Sequence, residues 1–391
     1  MKRSRLLVQL DRDIAAARTP LEADCLRARQ AVHFARLGQW KHMRPIVADL
    51  HRTYDARPNL TISIWLHLIE GLGIYYEDIG GMAIDKVRRA HALSVAAGIK
   101  PLHALTAAWL AQLLFIRNEV DQAATHLRDA LRLAEPDDHA TRSRAALVGA
   151  QAMRQAGSPG LDARWHRVAR EHAVREGDDA TTGALMHNAA WGVMDCWRQA
   201  VLTGRGNMEV PSLLMSVDSA GNFNALTGSS SLSALQPLMR AQILSLMGEA
   251  GAALALYEAH LSAGELIAAG SLQAYLYADQ AWCCVRLDRP GAARAAAERA
   301  GAGLVAARID DRASAHSRLA QVYARLGADE LARDHAARAA EAWQAYAEFE
   351  ARVAALFVPL LELSEAGLLT PPSAPAPRAH SAAPHRPATA P

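Results

Sequence analysis

Four glutamines recur along this chain at positions related by a spacing of about 40 residues, and their chemistry suits a binding surface. They are Gln112, Gln151, Gln242 and Gln321. A glutamine side chain carries both a hydrogen-bond donor and an acceptor, so it can hold an extended peptide backbone without requiring one particular side chain. Glutamine is also an ordinary helix-forming residue, and that structural role stays open at each position.

Aromatic residues are expected on the same surface as the glutamines. Trp191 and Trp282 take the glutamine position in two further copies of the spacing, and His187 precedes Trp191 by one helical turn. Aromatic side chains anchor partners in protein interfaces, although packing between helices is the alternative role for each of them. The remaining predicted partner-binding residues, one turn away on the same face, are Trp65, Tyr75, Tyr76, Phe115 and Tyr275.

Catalytic signatures are absent from the sequence. There is no GxxxxGK[ST] phosphate loop, no HExxH zinc motif, no GxSxG nucleophile elbow and no Cys/His quartet with zinc spacing. His187 could bind a ligand or transfer a proton, and ordinary packing is the alternative role for it. The sequence therefore predicts a non-catalytic protein that needs no metal and no cofactor.

Composition and charge exclude several classes of partner. The 42 basic and 40 acidic residues are mixed along the chain, so no clustered basic surface is expected to bind nucleic acid directly. The four cysteines form no CxxC pair, which is typical of reduced thiols in a cytoplasmic protein. No apolar run approaches the ~20 residues that a membrane span requires. We expect a cytoplasmic protein without a membrane partner.

The elements that would position these side chains are marked by a second recurring pattern, of small residues. Six of its seven successive intervals lie within one residue of 40, and the fifth interval is 51. Such a regular pattern indicates an internal repeat. The small residues are Ala31, Gly71, Ala111, Ala150, Ala190, Ala241, Ala281 and Ala320.

Each repeat reads as two helices joined by a tight turn. In the segment 317–340, small and aromatic residues mark one helix, Gly327 supplies the turn, and spaced alanines mark a second helix. Asp and Thr residues in the junctions "AEPDDHATR", "REGDDATTG" and "ARIDDRASA" are expected to cap the helix that follows. The turn residues of the copies are Gly38, Asp78, Asn118, Gly157, Gly248, Asp288 and Gly327.

This pattern resembles the tetratricopeptide repeat over residues 24–346, in the variety with a longer repeat of about 40 residues that occurs in sensor arms of bacterial regulators. The resemblance implies an all-α fold, an α-solenoid in the form of a right-handed superhelix of about eight antiparallel helical hairpins. It also implies a concave groove lined by the first helices, in which amide side chains often hold a peptide. The usual proline that closes each unit is mostly missing.

The resemblance divides the chain into four regions. Residues 1–23 are predicted to form an N-terminal capping helix, 24–346 the repeat array, and 347–369 a C-terminal capping helix. Residues 370–391 form a Pro/Ala-rich tail that is predicted to be disordered. The irregular fifth unit carries an insertion at about 198–232, for which a passive connection, a hinge and a gating loop are the alternatives.

Two functions follow from these expectations. The leading hypothesis is a non-catalytic adaptor or scaffold in bacterial regulation, whose concave groove binds a peptide or helix of a partner protein. The alternative is a signal-sensing regulator, which binds a small molecule or peptide and changes the shape of its superhelix to control a partner in trans. The sequence predicts neither the partner nor the oligomeric state.

Overall fold

The computed structural model describes residues 4–77, 82–205, 212–231, 233–261 and 272–365. Within these residues the protein is built from seventeen α-helices and contains no β-strand. None of the helices in this part of the chain has both the length and the hydrophobicity needed to cross a bilayer. The helices are α1 Arg5–Ala16, α2 Pro20–Leu37, α3 Trp40–Tyr54, α4 Leu60–Glu77, α5 Met82–Ala96, α6 Lys100–Ile116, α7 Val120–Leu133, α8 His139–Gln155, α9 Pro159–Glu176, α10 Asp179–Leu202, α11 Leu213–Thr227, α12 Leu235–Met247, α13 Ala250–His260, α14 Gln273–Arg286, α15 Pro290–Gly303, α16 Ile309–Arg325 and α17 Asp329–Glu365.

The helices pack largely in the order of the chain. Each even-numbered helix from α2 to α16 packs against the odd-numbered helix that follows it. Even-numbered helices also pack on one another, most extensively α2 on α4, α6 on α8 and α14 on α16. Odd-numbered helices also contact the following pair, most extensively α5 on α6, so both helices of a pair take part in the packing between pairs.

The small residues of the repeat lie where helices approach closely. Ala31, Ala111, Ala241 and Ala281 are completely buried. At Gly71, an added Cβ atom would lie only 2.7 Å from Cγ2 of Val87 on the paired helix, so no larger residue fits there without a shift. The 40-residue spacing thus marks close helix packing.

The turn residue of the repeat adopts the left-handed backbone conformation in every copy that the structure describes. Glycine takes this conformation without steric cost, and Asn and Asp tolerate it better than other residues do. Asp78 lies outside the described residues. The others have φ angles of 71° at Gly38, 62° at Asn118, 65° at Gly157, 88° at Gly248, 56° at Asp288 and 70° at Gly327.

Two of the three predicted junction caps are confirmed. Oδ1 of Asp138 accepts a hydrogen bond from the backbone N–H of Thr141 (3.1 Å), and Oδ1 of Asp178 accepts one from that of Thr181 (2.9 Å). The third junction has no side-chain cap, because helix α16 begins after Arg308 and its two aspartates lie within the first turn. Those aspartates are buried in the protein, as described below.

Both ends of the described chain contact its middle. The backbone N–H of Leu6 donates to the carbonyl of Gly177 (3.1 Å), at the junction of α9 and α10. Helix α17 runs without interruption through the predicted boundary at 346/347, and it then packs against α7 and α8. There the rings of Phe357 and Phe115 meet edge to face, with 5.7 Å between their centroids.

The predicted insertion contains helix α11 and a loop that contacts the first helix pair. The backbone N–H of Ser230 donates to the carbonyl of Leu37 (2.8 Å), and Nε2 of Gln39 donates to the carbonyl of Gly228 (3.0 Å). A Cβ atom added at Gly38 would lie 2.6 Å from Oγ of Ser230, so glycine is needed there for two reasons. Residues 206–211 and 232 lie outside the described part.

Buried apolar side chains form three clusters. The largest extends from α1 to the start of α10 and includes Trp109, Trp165 and Phe357 of α17. A second cluster extends from α12 to α16 around Tyr257. A small third cluster, from α10, α11 and α12, contains Trp197. The middle of α10 therefore lies where the large clusters meet.

Candidate ligand-binding cavity

A cavity of about 360 Å³ lies between the first and second apolar clusters. Side chains of the even-numbered helices α4, α6, α8, α10, α12 and α16 line it, and α17 supplies another wall. Five of the twelve sequence-predicted residues meet there although they are far apart in the chain. They are Tyr75, Phe115, Gln151, His187 and Trp191.

The aromatic end of the cavity is formed by these aromatic side chains and His187. The rings of His187 and Trp191 are 5.9 Å apart and inclined by 31°. Burial lowers the pKa of His187 to about 4, so its imidazole is neutral at physiological pH. The residue is 7% exposed and no described residue hydrogen-bonds it. A buried polar group normally has such a partner, so a neutral imidazole that lines a cavity can bond to a ligand.

A pair of the predicted glutamines borders the aromatic end. Nε2 of Gln112, which is buried, donates to Oε1 of Gln151 (2.8 Å), which lines the cavity. The contact joins α6 to α8 and fixes the orientation of the Gln151 amide. Gln112 thus positions Gln151 from behind the wall of the cavity.

A second part of the cavity lining, here called the acidic end, is rich in carboxyl groups. Nη2 of Arg198 donates to Oδ1 of Asp195 (2.5 Å) and lies 3.5 Å from Oδ1 of Asp311. Nε of Arg308 lies 3.6 Å from Oδ1 of Asp310. Four residues of the acidic end line the cavity: Asp195, Arg308, Asp310 and Glu350. The acidic end also includes Asp311 and Arg198, which do not line the cavity but form an ion pair next to it.

Burial controls the ionisation of the acidic end. It raises the pKa of the carboxyls of Asp195, Asp311 and Glu350, because each charged form loses hydration inside the protein. Neighbouring carboxylates raise these pKa values further, while Arg198 opposes the increase at Asp195 and Asp311. Burial and mutual repulsion thus both shift Asp195, Asp311 and Glu350 toward the protonated form.

The third arginine beside the cavity is already paired. Nε of Arg154 donates to Oδ2 of Asp162 (3.1 Å), and Nη1 donates to the carbonyl of Asn188 (2.5 Å). Gly192 lies close by, where an added Cβ atom would come within 2.5 Å of the Arg154 side chain. Arg154 therefore packs across α10 and has its charge neutralised by Asp162.

Two of the predicted residues line a separate cavity of about 260 Å³ near the second apolar cluster. Trp282 lies with its ring centroid 5.1 Å from the guanidinium of Arg318, and Nη1 of Arg318 donates to Oε1 of Gln321 (2.8 Å). Nε of the same arginine also donates to Oδ1 of Asp279 (2.8 Å). This group is linked by its own hydrogen bonds, and it is not continuous with the larger cavity.

The other predicted residues pack inside the protein. Trp65 is buried in the first cluster, and Tyr76 packs edge to face against Trp109 with 6.5 Å between centroids. Gln242 is completely buried, and Tyr275 lies under the guanidinium of Arg198, 4.1 Å from the ring centroid. These four residues occupy the expected helices but do not line either cavity.

Sequence reasoning missed the acidic end. One signal was present, because His187, Trp191 and Asp195 follow one another at intervals of four and share one face of a helix. The residues Asp310 and Glu350 carry no comparable signal, since they reach the cavity from α16 and α17 through contacts between distant parts of the chain.

The described residues contain no group of three or more His, Cys, Asp or Glu side chains arranged to hold a metal ion. All four cysteines are free thiols. A scan against protein-family models found no match, and a search of curated proteins found none either.

Proposed function

We propose that this chain is a non-catalytic, signal-sensing regulator that binds a small molecule or a short peptide in the cavity between α4, α10 and α17. One observation carries the proposal: a neutral, unpartnered His187 stands beside aromatic rings in a cavity of about 360 Å³. Small-molecule sites are typically ~300–1,000 Å³ in volume, mostly apolar, with a few polar groups that orient the ligand.

The architecture we propose is the right-handed solenoid of about eight antiparallel hairpins that the resemblance to tetratricopeptide repeats implies. Three features support it. Consecutive helices pair, seven of the eight small residues of the repeat are buried, and the turn residues share the left-handed conformation. The proposed site then lies on the concave side, where the first helices of the hairpins face inward.

Helix α17 provides a physical route from ligand to response. It contributes Tyr346 and Glu350 to the cavity. Two turns after Glu350, Phe357 packs against Phe115, which lines the same cavity. A ligand that contacts both Phe115 and α17 changes the free energy of docking this helix. The outcome in a bacterial cytoplasm, under this proposal, is a change in the surface offered to a partner protein in trans.

The adaptor hypothesis remains a second proposal, with one supporting observation. A groove of about 480 Å³ between α10 and α11 is lined by apolar side chains together with three serines and His166, and Met215 there is 66% exposed. The cavity of about 360 Å³ that contains His187 suits the adaptor less well. A partner helix with its side chains is about 10 Å across, and α17 already borders the concave face at this point.

A ligand screen on the purified full chain tests the proposed function. We expect ligands to raise the melting temperature and to change tryptophan fluorescence, and we expect Trp191→Ala to abolish both responses. The matched control is Trp40→Ala, because Trp40 packs against the first cluster outside the cavity. Equal ligand binding by Trp191→Ala and the wild type would refute the site.

A further inference from the structure

We infer that the ligand of this cavity is an organic cation, a protonated amine joined to an aromatic or apolar body. This inference rests on the proposed ligand-binding function and adds the chemical class of the ligand. The amine would contact the acidic end, and the body would lie against Trp191, His187, Tyr75 and Phe115.

The balance of charge at the acidic end is the first step of the argument. Asp195, Asp310, Asp311 and Glu350 together outnumber Arg198 and Arg308. Other nearby charges do not correct the imbalance. Arg154 is paired with Asp162, Arg318 is paired with Asp279, and Arg205, which faces Glu350, is exposed to solvent.

Unpartnered polar atoms are the second step. Asp310 is 8% exposed, and its Oδ1 has no hydrogen-bond donor, since Arg308 Nε at 3.6 Å is beyond hydrogen-bond distance. His187 also lines the cavity, is 7% exposed, and is hydrogen-bonded by no described residue. Because Asp310 and His187 both line the cavity, a ligand that donates to either side chain supplies a hydrogen bond that no described residue gives it.

The arrangement of the groups selects an organic cation over an inorganic one. The carboxyl groups that line the cavity are not clustered for metal coordination in the described structure. Trp191 and Asp195 are separated by one helical turn, which is a rise of about 6 Å. An ammonium group two carbons from an aromatic ring spans a comparable distance. Aromatic faces also attract cations through the negative charge on the face of the ring.

The ionisation of the site gives the proposal a pH dependence. The carboxyls of Asp195, Asp311 and Glu350 have raised pKa values, whereas an alkyl ammonium group stays protonated up to about pH 10. Affinity for the cation therefore increases as pH rises through the carboxyl pKa values, and binding releases protons. Other titratable groups at the cavity keep one state near neutral pH: burial lowers the pKa of His187 and raises those of the Cys196 thiol and of the Tyr75 and Tyr346 phenols, so these groups are neutral, and the raised pKa values of Arg198 and Arg308 keep them cationic.

The test compares three probes of one shape by isothermal titration calorimetry on the full chain. Tryptamine carries the cation, indole-3-ethanol is its neutral counterpart, and indole-3-propionate is an anion. We expect tryptamine to bind at least about tenfold more tightly than either of the others at pH 7.5, which corresponds to ~1.4 kcal/mol. At pH 5.5 its affinity falls, and titrations in buffers of different ionisation enthalpy report proton release.

Two nearly isosteric variants sharpen the test. We expect Asp310→Asn to weaken tryptamine binding about tenfold and to leave indole-3-ethanol unchanged, because a charge-assisted hydrogen bond becomes a neutral one. Asp218→Asn is the matched control, since Asp218 lies on the surface in an ion pair with Arg240. This control is expected to bind all three probes like the wild type.

The outcomes separate this inference from the proposed function. If the neutral or anionic probe binds as tightly as tryptamine and Trp191→Ala abolishes this binding, the cavity binds ligands, but the inference that its ligand is a cation is wrong. The same conclusion follows if the screen yields a ligand and tryptamine does not bind. If neither the screen nor the three probes give any binding, both proposals fail.

Discussion

Two buried charge clusters of this protein are built in opposite ways. The first, here called the Asp178 cluster, contains Ser4, His33, Arg36, Asp178 and Thr181 and joins α2 to the start of α10. Its single carboxylate accepts a 2.7 Å hydrogen bond from Nη1 of Arg36 and caps a helix. These partners hold the pKa of Asp178 well below its usual range, against the opposing effect of burial. In the acidic end, burial raises the pKa of three carboxyls instead.

The comparison separates a structural cluster from a binding site. In the Asp178 cluster the carboxylate is ionised and hydrogen-bonded, and the nearby guanidinium of Arg144 rests 3.9 Å from the ring centroid of Trp109. A buried pair of this kind stabilises the fold mainly because breaking it leaves a lone charge inside. The acidic end has more carboxyls than partners, so removing a carboxyl there relieves repulsion. Three measurements test this distinction.

The largest effect is expected from breaking the Asp178 cluster. Arg36→Ala leaves Asp178 without its guanidinium partner and is expected to lower the free energy of unfolding by about 3–5 kcal/mol. The equivalent loss of charge at the acidic end, Asp311→Asn, is expected to leave stability unchanged or to increase it. Urea denaturation followed by circular dichroism measures both. A loss at Asp311→Asn as large as that at Arg36→Ala would contradict the comparison.

A smaller effect is expected where α17 is attached beside the acidic end. Phe357 is 1% exposed and packs on Phe115, so Phe357→Ala is expected to cost about 3 kcal/mol through lost contacts and a residual cavity. Hydrogen exchange should then rise in the second half of α17 and around the acidic end, and not in α2. Leu331→Ala serves as the control on the same helix, because Leu331 is 47% exposed. Faster exchange in α2 as well would show that the two clusters are not independent.

The smallest effect is a difference in how the two clusters respond to pH. Burial lowers the pKa of His33 to about 4 from 6.5, so the unfolded chain binds more protons between these values and stability falls as pH decreases through them. The slope is at most about 1.4 kcal/mol per pH unit for one proton. The raised carboxyl pKa values act in the other direction, because there the folded state holds the extra protons and stability falls as pH rises.

Single-site variants resolve these two slopes. Between pH 6.5 and 4.5, His33→Gln is expected to reduce the slope with which the free energy of unfolding falls as pH decreases, and Asp311→Asn is expected to increase that slope. Both expectations concern the slope and not the stability of each variant at pH 7. Urea denaturation at a series of pH values gives both slopes. If His33→Gln leaves the slope unchanged, His33 is not buried in its neutral form.

The sequence predicts the local part of this structure well. The small residues lie at helix contacts, the turn residues have left-handed backbones, and Asp138 and Asp178 cap helices as expected, because each of these features depends on residues within one helix pair or at its edge. The prediction of an all-helical protein is confirmed over the described residues. A regular residue spacing therefore predicts contacts between residues that are close in the sequence.

The candidate site was only half predictable for the same reason. The inward position of the repeat led to Gln151 and Trp191, which line the cavity, but it led equally to Gln242, which is completely buried. Whether an inward residue meets space or protein depends on how the pairs turn relative to one another over more than a hundred residues. Glu350 reaches the cavity only because α17 continues past the last pair.

Helix α17 has a consequence for how such a chain can change its length. Arrays of similar units ordinarily gain or lose a unit with little penalty, since each unit touches only the adjacent ones. Here a single 37-residue helix starts after the final turn and contacts α7 and α8, in the middle of the described chain. Duplicating any unit between α8 and α16 would carry Phe357 away from Phe115 and open the chamber beside it. The contact between Phe357 and Phe115 therefore constrains the number of helix pairs that this protein can have.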